Sequence, residues 1–154
     1  KLLSTTVEPA STATGGSSGF LDALAADYNV NNGSGWQDTG LFTTLAGSGA
    51  YMLWASVNSY LSIAGGAGTI LARLVNSGGD VYRSKILNHT TVAGAIGNEG
   101  TIIDLVNVSA PSQVVRLEAA LKSGGNYLTA RILANGVSLN ESGGSTTLSW
   151  IRLA

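Results

Sequence analysis

His89 is the single histidine of this 154-residue chain, and it stands beside Asn88 and Thr90. One imidazole cannot build the ligand cluster of a zinc or iron site. A Ser-His-Asp triad needs its serine on a strained strand-to-helix elbow. Gly47-Ser48-Gly49 instead separates two strand candidates. His89 therefore reads as an exposed loop residue. The nine carboxylates are Glu8, Asp22, Asp27, Asp38, Asp80, Glu99, Asp104, Glu118 and Glu141, and none falls at calcium-loop spacing. A glycosidase pair can be assembled from distant residues, so that chemistry stays open as a minor alternative. Asp104 interrupts an apolar run. It either faces outward or is buried against an arginine such as Arg73 or Arg131, because an unpaired buried carboxylate is costly. Gly65-Gly66-Ala67-Gly68 precedes a strand and lacks the Lys-Ser/Thr of a phosphate loop. The absence of cysteine removes disulfides, thiolate metal sites and thiol nucleophiles together. No cofactor and no catalytic residue is expected.

The aromatic residues carry the remaining chemistry, since a flat ring can stack on a sugar face or fill a core. Trp36, Tyr60 and Tyr82 lie near loops and are candidates for a ligand surface. Tyr51, Trp54, Tyr127 and Trp150 lie within strand candidates, where core or subunit contact is favoured.

The elements that hold these residues read as strands. Ala50 to Val57 is apolar, aromatic-rich and too short for a typical helix. Thr69 to Val75 and Val81 to Leu87 flank Asn76-Ser77-Gly78-Gly79-Asp80, a hairpin with a glycine-containing loop. Thr101 to Val108 is β-branched. In Val115 to Lys122 the apolar residues alternate, placing Val115, Leu117, Ala119 and Leu121 inward and Arg116, Glu118 and Lys122 outward. Tyr127 to Leu133 follows a Ser-Gly-Gly-Asn turn, Asn135-Gly136 suits a tight hairpin, and Thr147 to Leu153 closes the chain. Residues 20–28 fit one short helix or an irregular first strand. The spacing of eight or nine strands predicts an all-β antiparallel sandwich or barrel. Residues 1–19 differ: they are small, polar and rich in Gly and Ser, and read as an extended arm. Leu2, Leu3 and Val7 are its docking candidates. Residues 20–154 make the globular domain.

Composition narrows the partners. Charged residues make up 11% of the chain, against about 25% in an ordinary globular protein. A surface so poor in charge suits a chain that is covered by a partner. The net charge of −1 lacks the positive excess of a nucleic-acid binder. No apolar run approaches the roughly 20 residues of a membrane-crossing helix, so no membrane insertion is expected. Lys1-Leu2-Leu3-Ser4 lacks the apolar core of a signal peptide.

Two stretches resemble the tumour necrosis factor-like family, which includes the globular heads of complement and collagen-like proteins. Trp36-Gln37-Asp38-Thr39-Gly40-Leu41-Phe42, a gap, then Gly49-Ala50-Tyr51-Met52-Leu53-Trp54-Ala55 is similar to its Gly-x-Phe, spacer, Gly-x-Tyr pattern. Ser145-Thr146-Thr147-Leu148-Ser149-Trp150-Ile151-Arg152-Leu153 is similar to its closing strand, with a flavour found in bacteriophage proteins of this type. Phenylalanine is scarcer than in the family, and the arm has no collagen-like repeat. The resemblance covers about residues 36–154. It implies a ten-stranded jelly roll, a tight homotrimer, and Tyr51, Leu53, Tyr127 and Trp150 as trimer-interface candidates. It further implies a virion-surface protein, a trimeric head-fibre or tail-fibre tip or a capsid decoration protein. Such a protein docks on other virion proteins through its arm, with a host surface glycan as a further ligand. The other reading is a secreted trimeric binding head for a carbohydrate or protein ligand.

Overall fold

A computed structural model describes residues 21–123, 126–135 and 144–153. It is an antiparallel two-sheet β-sandwich of the jelly-roll type, with no helix among the described residues. Ten strands follow in order: β1 Leu21–Ala23, β2 Tyr28–Asn29, β3 Gln37–Ala46, β4 Gly49–Ile63, β5 Gly68–Asn76, β6 Val81–Thr90, β7 Gly94–Val108, β8 Ser112–Ser123, β9 Tyr127–Leu133 and β10 Thr147–Arg152. The smaller sheet runs β3-β8-β5-β6. In the larger sheet β4 pairs with β7 along one side and, on the other, with β10 and then β9 placed end to end. β1 and β2 flank β10 and β9 in the same way. The closing strand β10 thus lies inside the sheet, between β1 and β4.

The end of β9 and the start of β10 are pinned together. Thr146 N donates to Ala134 O at 2.9 Å. The buried Thr146 hydroxyl donates to Leu133 O at 2.6 Å and accepts from Asn58 N at 2.9 Å. These bonds satisfy the backbone where β4 passes from one partner strand to the other. The expected Asn135-Gly136 turn lies partly outside the described residues, and Leu2, Leu3 and Val7 lie wholly outside them.

Inner-face residues of the two sheets interdigitate into one core. Leu53, Leu61, Ile70, Leu74, Val115, Leu117, Ile132 and Leu148 are wholly buried there. Val115, Leu117, Ala119 and Leu121 all point inward, as the alternation predicts. The β5–β6 loop closes as expected. Asn76 N donates to Asp80 O at 3.0 Å, and Gly79 takes a φ of +92° that a side chain would strain. Gly40, at φ +82°, sits where β3 bulges against β8 between Asp38 and Phe42.

Residues 20–28 form no helix where described. Leu21–Ala23 pairs with β10 and Tyr28–Asn29 with β9, so the irregular-strand alternative holds. Sheet hydrogen bonds to distant residues outweigh the local helical spacing of Leu21 and Leu24. The strands at 50–57 and 101–108 are longer than predicted. β4 and β7 each have 15 residues and pair without a break from Gly49–Val108 to Ile63–Gly94.

The free edges of β6 and β7 lie side by side and cap each other. Lys85 Nζ donates to Thr101 O at 2.9 Å, Asn88 Nδ2 to Ile96 O at 2.9 Å, and Asn98 Nδ2 to Leu87 O. Polar side chains laid across open carbonyls discourage strand addition by another chain.

Candidate functional site

Strand β4 decides what the larger sheet shows to solvent. Its odd-numbered residues Tyr51, Leu53, Ala55 and Val57 are wholly buried in the core. Its even-numbered residues Met52, Trp54 and Ser56 stand on the opposite face and are half-buried. Cross-strand register builds that face row by row. Leu105, Met52 and Ile151 form one row, and Ile103, Trp54, Ser149 and Leu21 the next. Leu105 is 67% exposed, Leu21 60% and Ile103 54%. Neither row contains a charged residue. The following row, Thr101, Ser56 and Thr147, is polar, and Glu99 marks the edge beyond it. Ser56 Oγ donates to Glu99 at 2.6 Å. The outcome is an uncharged, mainly apolar face across β7, β4 and β10, with Leu21 of β1 beyond the buried Ser149, and a polar margin.

The four residues expected at a trimer contact sit elsewhere. Tyr51 and Leu53 are wholly buried and Trp150 is 8% exposed, all inside the sandwich. The Tyr51 and Trp150 rings meet edge to face at 5.4 Å. The Tyr51 hydroxyl donates to Ala46 O at 2.6 Å, and the Trp150 indole donates to Thr43 Oγ1 at 3.2 Å. Tyr127 is half-buried and packs on the core from the start of β9. Their area is already covered by their own chain. The neighbouring parity of the same strands supplies the exposed face instead.

Of the three ligand candidates, only Trp36 lies in a loop. Tyr60 belongs to β4, and Tyr82 belongs to β6 and packs on the core. The Trp36 ring is stacked under the Arg73 guanidinium, 4.4 Å from its centroid. Arg73 in turn donates to Glu118 Oε2 from Nε at 2.8 Å, with its Nη2 at 2.7 Å from the same oxygen. Arg116 Nε donates to the other oxygen at 3.1 Å. Glu118 points to the outer side of β8 as the alternation requires, yet it is buried, because Trp36 and the two arginines close over it. Glu118→Ala is expected to lower stability by about 2–4 kcal/mol, since it strands two guanidiniums in partly desolvated positions. Asp38→Ala, which removes an exposed 4.0 Å pair with Arg116 and an exposed 2.9 Å bond accepted from Gly40 N, is expected to cost about 1 kcal/mol. Chemical denaturation of both variants checks the contrast.

His89 lies on β6, not in a loop, with its Nδ1 2.8 Å from Thr69 Oγ1 on the paired strand. Asp104 is half-buried opposite Leu53 and accepts from Leu105 N at 3.0 Å. It pairs with neither Arg73, which serves Glu118, nor Arg131, which donates to Asn29. No three metal-ligating side chains converge among the described residues. No helix there is long and apolar enough to cross a membrane.

No known family model matches the sequence, and no curated protein does. Among solved structures, a chain of infectious bursal disease virus, Gt strain, aligns with 88% of this chain and 37% of its own length, at TM-score 0.46 and 12% identity. A mutant VP2 protein of that virus, in T=1 particles, aligns with 86% of this chain and 35% of its own, at TM-score 0.47 and 12% identity. The tumour necrosis factor Eiger of S. frugiperda aligns with 88% of this chain and 92% of its own, at TM-score 0.38 and 7% identity. The chain spans little more than a third of the viral chains to which it is similar.

Proposed function

We propose that this chain is a non-enzymatic structural module of a virion, of the bacteriophage type that the closing strand resembles. It acts by forming a homotrimer and docking on other virion proteins. The observation that carries the assembly reading is the apolar face of Leu21, Met52, Trp54, Ile103, Leu105 and Ile151. Around a threefold axis the contact is heterologous, and only the residues nearest the axis meet their own counterparts. Charged rows placed so would repel, whereas these neutral rows do not. The number three comes from the family resemblance. Light scattering at micromolar concentration is expected to give a mass near three copies of the 15.6 kDa chain. A stable single-chain mass overturns the proposal. Obligate interfaces are large and apolar, so modest dilution should not dissociate the assembly.

The arm supplies the docking in this reading. Residues 1–19 carry only Leu2, Leu3 and Val7 as sizeable apolar anchors. Ordering a backbone costs about 1–2 kcal/mol per residue. Burial of each anchor on a partner returns roughly 1.5–3 kcal/mol. Deletion of residues 1–19 is expected to leave a folded trimer that no longer attaches to its particle, as scored by co-sedimentation. Normal attachment places docking on the sandwich, and loss of folding places the arm in the core. A secreted binding head would instead show no attachment to a particle with or without the arm.

A further inference from the structure

A depression of about 290 Å³ lies on the other half of the same outer face and is lined by Tyr60, Thr129, Arg131 and Leu133. Two cross-strand pairs shape it. Tyr60 on β4 stands opposite Arg131 on β9, and Ser62 opposite Thr129. On its other side Tyr60 faces Gly97 of β7, which has no side chain to lay over the ring. The apolar patch therefore lies on the β10 half of the sheet, and a hollow with one half-buried tyrosine ring and one arginine occupies the β9 half.

Arg131 is the charged residue of the hollow. Its Nε donates to Asn29 Oδ1 at 3.1 Å, which fixes the guanidinium beside Tyr60. No carboxylate lies within ion-pair distance of it among the described residues. Arg73 and Arg116 both serve Glu118, and Arg83 and Lys85 reach across to carbonyls of β7. Arg131 is exposed at this hollow, bonded to Asn29 and with no carboxylate beside it among the described residues.

We propose that this hollow binds a carboxylate-bearing sugar, a uronic-acid residue of a surface polysaccharide. The guanidinium fork matches a carboxylate in two parallel hydrogen bonds. The Tyr60 ring offers a flat apolar platform to the pyranose face, and the Thr129 hydroxyl lies within the same hollow for the ring hydroxyls. The volume is at the small end for ligand sites and suits a single ring. All the residues come from one chain, so the proposal does not depend on the trimer, although several copies in one assembly would add avidity.

The test is saturation-transfer NMR on the full chain with glucuronic acid, glucose and a short glutamate-containing peptide as probes. Glucuronic acid is expected to bind with a dissociation constant on the order of 1 mM, and glucose at least about tenfold more weakly. Arg131→Gln is expected to remove about tenfold of the glucuronic acid affinity and none of the glucose affinity. Arg131→Lys, which keeps the charge and loses the fork, is expected to recover only part of it. Tyr60→Phe should keep binding, because the ring face is retained. Equal binding of the two sugars, or an Arg131→Gln variant that is folded by circular dichroism and binds glucuronic acid normally, overturns the proposal. Equal binding of the peptide also overturns it, by making an acidic protein segment the ligand.

Discussion

Trp54→Arg is expected to convert the assembly into single chains at micromolar concentration without unfolding them. Trp54 lies in the middle of the apolar face, between Ile103 and Ser149, and only its outward side is available for contact. Truncation of a central aromatic at an interface commonly costs about 2–4 kcal/mol of association. A buried, unpaired guanidinium adds a desolvation penalty of several kcal/mol on top. In a closed trimer the substitution enters once per subunit, so the cost triples. The core is untouched, because Trp54 belongs to the parity of β4 opposite to Tyr51, Leu53 and Ala55. Sedimentation velocity should show the mass fall from three chains to one, with an unchanged far-ultraviolet spectrum. Thr44→Arg, on the outer face of the smaller sheet, serves as the control and should leave the mass unaltered. If both variants remain trimeric, the apolar face is not where copies meet.

The sequence made some of this legible and concealed the rest for identifiable reasons. The inward set of β8 was readable because polar and apolar residues alternate there. The same rule fails in Ala50 to Val57, where both parities are apolar. Such a run signals a strand covered on both faces, but not which parity meets the core and which meets a partner. That is why Tyr51 and Leu53 were expected at a subunit contact although they fill the core and Met52 and Trp54 stand on the outer face. The extra length of β7 was hidden by Gly94-Ala95-Ile96-Gly97-Asn98-Glu99-Gly100, a poor strand former by composition. Its strand state comes from uninterrupted pairing with β4, a contact that local sequence cannot report. β1 and β2 are strands for the same non-local reason. The enclosure of Glu118 depended on Arg73, 45 residues away, and on a loop tryptophan above it. The Tyr60–Arg131 hollow likewise needed the register of β4 against β9 before an isolated tyrosine and an isolated arginine became neighbours.

Trp150→Ala is expected to cost about 4–5 kcal/mol of folding stability, more than Glu118→Ala. The indole sits between the sheets, where its edge-to-face contact with Tyr51 and its N–H bond to Thr43 tie β10 in the larger sheet to β3 in the smaller. Truncation leaves a cavity of most of an indole, and large aromatic-to-alanine changes in cores typically lose about 3–5 kcal/mol. It also deprives the wholly buried Thr43 hydroxyl of this donor, a further penalty of about 1 kcal/mol. For a domain of this size the midpoint should drop by roughly 8–20 °C. Trp150→Phe keeps a ring against Tyr51 and loses chiefly the hydrogen bond, so about 1–2 kcal/mol is expected. The measurement belongs in the Trp54→Arg background, where the chains are single and the midpoint no longer contains an association term. There a core residue and an interface residue give opposite results. A core Trp150 shows its full penalty in the isolated chain. A Trp150 that served only subunit contact would leave the melting of single chains unchanged, and that outcome would return it to the interface at which the family resemblance places it.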